Sequence, residues 1–227
     1  MPKTIGCARV ISKAVKEKIN PSEFTFQDKE FIHIEILKGV IIENSDDLKN
    51  KAAVFTSANA VRGFVQLLKE NNIENFNNYC YCIDGRTSKT ALEYGFKIKK
   101  TGYSGKDIAR KIVENKENNL IHYTSNLRRK ELSEILKKHS IVLQAVEVYS
   151  KKITPHELGN VDAMIFFSPS QIDSFYLKNN FDIEKPAFCI GLTTANYLKS
   201  KGHKSIIISE IASEQNIIEK TIKYFNI

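Results

Sequence analysis

The chain has 227 residues, of which 42% are hydrophobic and 26% charged, and its formal net charge is +8. The composition is typical of a globular protein, and the length accommodates one large domain or two small ones. No apolar run approaches the ~20 residues of a membrane span, and the N-terminus lacks the pattern of a signal peptide, so we expect a cytoplasmic protein that does not interact with membranes. The positive charge favours acidic partners, although scattered lysines on a solvated surface also explain much of it.

In chain order, strand-length apolar runs alternate with stretches of helical periodicity. Residues 1–36 predict a weak strand–helix–strand unit, and further strands are predicted over 52–55, 79–83, 120–123, 141–149, 163–167, 187–190 and 205–208. Helices are predicted after residue 57, over 87–94, after Asn126 (with Leu127 on its apolar face), after Ser168 (with Leu177 on its apolar face), over 193–201 and over 214–225. Gly95 and Gly202 are predicted as C-caps.

This alternation predicts an α/β fold in which parallel sheets are covered by helices on both faces. The four cysteines form no CxxC pair and join no histidine cluster, so we interpret them as small apolar residues on buried strands. The five histidines show no metal-ligand spacing, and we expect no metal site. The nucleotide-binding and nucleophile-elbow motifs are absent from the sequence.

Two stretches of the chain resemble each other. In each, a strand enters a hydroxyl-rich turn and a helix, and a second strand then enters another such turn and helix. The first copy runs from Val54 to Gly95 and the second from Phe166 to Gly202. Two similar α/β units predict two similar lobes, and we expect the ligand to bind in the cleft between them.

The hydroxyl-rich turns lie where parallel strands end and helices begin. The first N–H groups of a helix have no partner within the helix, and the helix dipole is positive there. Serine and threonine at this position either cap the helix or, with the free amides, bind a carboxylate or phosphate. Five such turns, near Thr56, Thr87, Ser125, Ser168 and Thr194, make both interpretations reasonable at the edge where α/β sheets bind ligands.

Several of these segments resemble motifs of the uroporphyrinogen-III synthase family. They are Phe55–Val61, Ser125–Lys130, Val148–Tyr149, Phe166–Ser170 and Ile190–Ala195. The similarity covers roughly residues 50–227. Two features depart from the family pattern: the first strand leads into Ala8-Arg9 without a proline, and Asp84 stands in the turn before Thr87.

The resemblance implies two α/β lobes joined by a two-stranded ladder, one formed by residues 1–36 and 151–227 and the other by 37–150. It also implies an activity, the cyclisation of the linear tetrapyrrole hydroxymethylbilane with loss of water and inversion of its last ring. This reaction uses neither cofactor nor metal, and we expect a monomer.

The substrate is rich in carboxylates, which suits the net charge and the hydroxyl-lined turns. The substrate-binding candidates are Thr56, Ser57, Thr87, Ser125, Asn126, Ser168, Ser170, Thr193 and Thr194. Tyr149 is the candidate catalytic acid for loss of the hydroxyl group. Its alternative role is packing on the ladder with its hydroxyl in water.

Two other functions fit parts of the pattern. A non-catalytic two-lobed protein that closes on a small carboxylate or phosphate would use the same turns. Nucleic-acid binding agrees with the charge, but the sequence lacks a basic stripe and the relevant motifs, so we expect no nucleic-acid partner.

Overall fold

A computed structural model describes residues 1–40 and 45–226. The chain divides into two compact units, one formed by residues 1–33 and 152–227 and the other by residues 34–151. Each unit contains a β-sheet flanked by helices, which confirms the predicted α/β class. The ligand cleft between two lobes stays a prediction.

Strands and helices largely alternate, as the sequence predicts. The elements are β1 (Lys3–Cys7), α1 (Lys13–Lys16), β2 (Phe24–Asp28), β3 (Ile32–Ile36), α2 (Ser45–Asn50), β4 (Ala52–Phe55), α3 (Ala58–Glu70), β5 (Tyr79–Ile83), α4 (Arg86–Glu93), β6 (Lys97–Gly102), α5 (Gly105–Glu114), β7 (Leu120–Ser125), α6 (Glu131–Lys138), β8 (Gln144–Ile153), β9 (Ala163–Phe166), α7 (Pro169–Tyr176), β10 (Ala187–Cys189), α8 (Leu192–Ser200), β11 (Ile206–Ile208) and α9 (Glu214–Phe225). The exceptions to the alternation are β3, which directly follows β2, and β9, which directly follows β8.

The first unit is built on a five-stranded parallel sheet with the order β11-β10-β9-β1-β2. Because β1 lies between β9 and β2, segments far apart in sequence form one sheet. The second sheet has six strands in the order β3-β8-β7-β4-β5-β6. Its β4, β5, β6, β7 and β8 pair in parallel, so their carboxyl ends share one edge.

Both sheets are buried on two faces, which explains why their central strands are apolar without alternation. In β4, Ala53 and Phe55 face one apolar cluster while Ala52 and Val54 face another. In the first unit, Met164 and its neighbours divide between two clusters in the same way. The four cysteines are free and buried, as predicted.

Two predicted helix faces need correction. Helix α6 begins at Glu131 rather than directly after Asn126, and Leu127 is 44% exposed in the preceding turn. Leu177 is the C-cap of α7 and is 64% exposed, so it does not belong to the apolar face of that helix. Both leucines fit the helical spacing of apolar residues but lie outside the hydrogen-bonded helix. The spacing alone does not show where a helix begins or ends.

The sequence interpretation missed α2, β6 and α5. Strand β6 contains three lysines at 97, 99 and 100 and lies at the edge of its sheet, where charged side chains are common. Helix α5 begins after Ser104, whose side chain accepts a hydrogen bond from the backbone N–H of Asp107. The pattern Ser-x-x-Asp is a capping signal that was present in the sequence.

Within the described ranges, no helix is both long and apolar enough to cross a membrane.

Candidate functional site

A serine caps the helix that follows β9 in the first sheet. Ser168 is the N-cap of α7, and its Oγ accepts a hydrogen bond of 3.4 Å from the backbone N–H of Gln171. The same Oγ lies 3.2 Å from Oγ of Ser170. Ser168 is therefore used by the helix itself, as the capping interpretation predicts, and a ligand would have to share its hydroxyl.

The neighbouring helix start is not capped by a side chain. Gly191 is the N-cap of α8, and it has an extended backbone with nothing within 4 Å of where a Cβ would lie. Thr193 is exposed at the helix start, whereas Thr194 is buried. No side chain caps the start of α8, and the Cβ position of Gly191 is open, so this helix start suits an anion.

In the first unit, Arg9 borders the turn that carries Ser168. Its guanidinium carbon lies 4.4 Å from the ring centroid of Phe167, and it forms an ion pair with Glu214. The other carboxylate oxygen of Glu214 accepts a hydrogen bond of 2.9 Å from the backbone N–H of Ser12. These contacts fix the loop after β1 against the end of β9.

In the second unit, Thr56 and Ser57 directly follow β4. Ser57 caps α3 by accepting a hydrogen bond of 3.2 Å from the N–H of Asn59. Thr56 is half-buried, and its Oγ1 shares a hydrogen bond of 3.2 Å with Nε2 of His122 on β7. Thr56 therefore hydrogen-bonds to a histidine on the neighbouring strand, whereas Ser57 caps α3.

His122 is only 4% exposed. Burial lowers its pKa to about 4, and the nearby positive charge of Arg128 acts in the same direction. The imidazole is therefore neutral at neutral pH. The sequence identified His122 as a strand residue, but its bond to Thr56 depends on strand register and could not be predicted.

The second glycine-led helix start precedes α4. Gly85 is its N-cap with a φ of +84°, and no side chain caps the helix. Thr87 is buried, and Ser88 donates a hydrogen bond of 3.0 Å to the carboxylate of Asp84. The negative charge of Asp84 distinguishes this turn from the turn at Gly191 and disfavours a carboxylate ligand.

The carboxyl end of β7 brings together four residues. Ser125 is buried and pairs with Tyr149 of β8. Tyr149 is 3% exposed, with its ring in an apolar cluster, and Nζ of Lys151 lies 5.8 Å from the centroid of that ring. Asn126 uses both ends of its amide on the backbone of Lys151, accepting from its N–H at 2.8 Å and donating to its C=O at 3.2 Å.

The structure thus distributes the predicted site residues over two sheet edges. Thr56 and Ser57 follow β4, and Ser125 and Asn126 lie at the end of the neighbouring strand β7. Tyr149 lies within β8, opposite Ser125. Thr87 follows β5 on the same edge. In the first unit, Ser168 and Ser170 follow β9, and Thr193 and Thr194 follow β10.

The predicted capping glycines end their helices in both units, each one position after the C-cap residue. Gly95 and Gly202 follow the C-caps of α4 and α8 with φ values of +80° and +92°. A glycine also stands at the N-cap of each of these helices. The internal repeat therefore includes a matched strand, glycine-led helix start and glycine-ended helix in each unit.

A model of the family described as uroporphyrinogen-III synthase HemD matches residues 31–219. The chain belongs to this family. The match includes every predicted site residue, from Thr56 to Thr194. It leaves out β1, α1 and β2, so Arg9 lies outside the matched region.

Solved uroporphyrinogen-III synthases share the fold along almost the whole chain. The enzyme from Helicobacter pylori is 22% identical with a TM-score of 0.62, and the similarity covers 99% of this chain and 100% of that one. A mutant enzyme from Thermus thermophilus is 14% identical with a TM-score of 0.77, covering 99% of each chain. The comparison with curated protein sequences gives no match.

Proposed function

We propose that this chain is an active uroporphyrinogen-III synthase that converts hydroxymethylbilane to uroporphyrinogen III. The observation that carries the proposal is the family match over residues 31–219. The match favours the enzyme over a non-catalytic protein that binds a small anion. We further propose that it acts as a cytoplasmic monomer without metal or cofactor.

The reaction requires a leaving group, a new carbon–carbon bond and control of orientation. The hydroxyl group leaves the terminal methylene as water after gaining a proton, and the pyrrole nitrogen stabilises the resulting azafulvene. For the last ring to be inverted, the carbon that links it to the chain bonds to the azafulvene methylene, and the old bond from that carbon to the methylene of the preceding ring breaks. The other α-carbon of the inverted ring then bonds to the released methylene and loses its proton. Orientation contributes most, since without the enzyme the chain closes directly to the type I isomer.

Binding of the substrate carboxylates would provide this orientation. We propose that the free amides after Gly191, the exposed Thr193 and the half-buried Thr56 bind carboxylates at the two sheet edges. Oriented backbone N–H groups at a helix start suit this task because they combine hydrogen bonds with a favourable dipole. The net charge of +8 also attracts an acidic substrate.

The two units would serve as the predicted lobes, 1–36 with 151–227 and 37–150. Tyr149 lies within β8 opposite Ser125, the last residue of β7, and its ring is held by the surrounding apolar cluster. We propose that its hydroxyl donates the proton to the departing oxygen. Packing of the ring in the apolar cluster limits the positions that the hydroxyl can take.

The test compares the purified wild type with Tyr149→Phe in a coupled supply of hydroxymethylbilane. We expect the wild type to consume this substrate faster than spontaneous closure does. Tyr149→Phe should lower kcat by about ten-fold or more, because it removes the proton donor while keeping the buried ring. An unchanged kcat in a variant with wild-type thermal stability would remove Tyr149 from catalysis.

A further inference from the structure

Asn126 bonds to the backbone of Lys151 at both ends of its amide. Its side-chain oxygen and nitrogen bond the N–H and C=O of that one residue at 2.8 and 3.2 Å. The amide therefore extends the pairing of β7 and β8 beyond Ser125 and Tyr149. A side chain held at both ends by one residue is fixed against that residue, so we interpret Asn126 as a residue that positions Lys151.

The side chain of Lys151 lies beside the candidate acid. Residues 149 and 151 are two apart on β8, so their side chains point to the same face of the strand. Accordingly, Nζ of Lys151 is 5.8 Å from the ring centroid of Tyr149. Lys151 is half-buried, whereas the next residue, Lys152, is exposed and alternates to the other face.

Lys151 differs from Arg128, which lies at the same end of the sheet. Arg128 is neutralised by Glu147, with 2.8 Å between Nη1 and Oε1. Among the residues that the structure describes, no carboxylate lies within ion-pair distance of Lys151. A half-buried ammonium group without an acidic neighbour is suited to an acidic ligand.

We propose that Lys151 binds a carboxylate of the tetrapyrrole beside Tyr149, and that Asn126 is its positioning residue. The inference rests on the proposed function and adds a charged contact to a site otherwise formed by hydroxyls and amides. Residues two apart on a strand are separated by about 6.6 Å. This spacing is comparable to the length of an acidic side chain on a pyrrole. When such a carboxylate binds Lys151, the pyrrole ring that carries it therefore lies next to Tyr149.

The experiment measures KM and kcat for hydroxymethylbilane with Lys151→Gln and with the matched control Lys152→Gln. We expect Lys151→Gln to raise KM by about ten-fold, because a charge-assisted hydrogen bond is lost, and Lys152→Gln to leave KM within about two-fold. Lys151→Arg should keep most of the affinity. Thermal midpoints of all variants show whether they are folded, and Lys151→Met replaces the glutamine variant if that one is unstable.

Asn126 is tested through its coupling to Lys151. Asn126→Ala should raise KM on its own but add little when Lys151 is already glutamine, since both changes remove the same contact. Equal KM values for the Lys151 and Lys152 variants, or a full additional effect of Asn126→Ala in the double variant, would overturn the proposal.

A failure of the proposed function gives a different result. The wild type would then form no type III isomer, and binding of uroporphyrin, an octacarboxylate, is measured by its fluorescence instead. Weaker binding by Lys151→Gln than by Lys152→Gln supports the carboxylate contact even in that case. Equal binding by both variants contradicts it.

Discussion

At the residue scale, the hydroxyl candidates separate into two groups. Ser57 and Ser168 cap the helices that they precede, whereas Thr56 bonds to a buried histidine and Thr193 is exposed beside uncapped amides. The sequence predicts all of them because hydroxyls favour both roles. The choice between the two roles depends on side-chain rotamers and strand register, which a single sequence does not contain.

His122 makes stability depend on pH in the acidic range. Its pKa is lowered to about 4, mainly by burial, so the unfolded chain gains a proton below about pH 6.5 while the folded chain stays neutral until about pH 4. The free energy of unfolding should therefore fall as pH decreases through this window, by up to about 3 kcal/mol from this group. Urea unfolding at about pH 7 and pH 4.5 measures the change.

The control variants are His122→Gln, which cannot gain the proton, and His139→Gln, which changes an exposed histidine. The loss of stability on acidification should shrink in the first and persist in the second. An identical loss in wild type and His122→Gln would show that other groups determine the acid sensitivity.

At the element scale, the buried strands were predictable and the polar ones were not. Ala52–Phe55, Tyr79–Ile83 and the helix Glu214–Phe225 agree closely with their predictions, because a continuous apolar run or a strong helical period marks each of them. Strand β6 was missed because it lies at the edge of the sheet and contains lysines where a buried strand would have apolar residues. The late start of α6 reflects the turn in which Asn126 bonds to Lys151, a contact 25 residues away in sequence.

Helix α8 offers a test in which stability and affinity change in opposite directions. Gly191→Ser places a hydroxyl at an N-cap whose extended backbone and open surroundings accept it. The serine should stabilise the fold by a few tenths of a kcal/mol, to about 1 kcal/mol at most. It should also raise KM several-fold, because its oxygen would compete with the substrate carboxylate for the same amides.

Gly191→Ala is the matched control because it adds a Cβ without an acceptor. We expect its KM to stay close to that of the wild type, with thermal denaturation and steady-state kinetics measured on both variants. A serine variant that is stabilised but has unchanged KM would argue against carboxylate binding at this helix start.

At the scale of the whole molecule, the net charge of +8 should act on an acidic substrate at long range. The Debye length falls from ~30 Å at about 0.01 M salt to ~3 Å at about 1 M, so added salt weakens this attraction. We expect KM to rise with sodium chloride while kcat changes little. A KM that is constant over this range would show that the positive charge does not attract the substrate, and the excess of lysine would then serve solubility alone.

The direct test of the proposed activity is the identity of the cyclic product. The protein is supplied with freshly generated hydroxymethylbilane, the products are oxidised to uroporphyrins, and the isomers are separated and quantified, with heat-denatured protein as the control. We predict that the type III isomer predominates with the native protein and the type I isomer with the denatured one. Type I alone from a folded protein would contradict the synthase activity and would make the non-catalytic anion-binding protein the better interpretation.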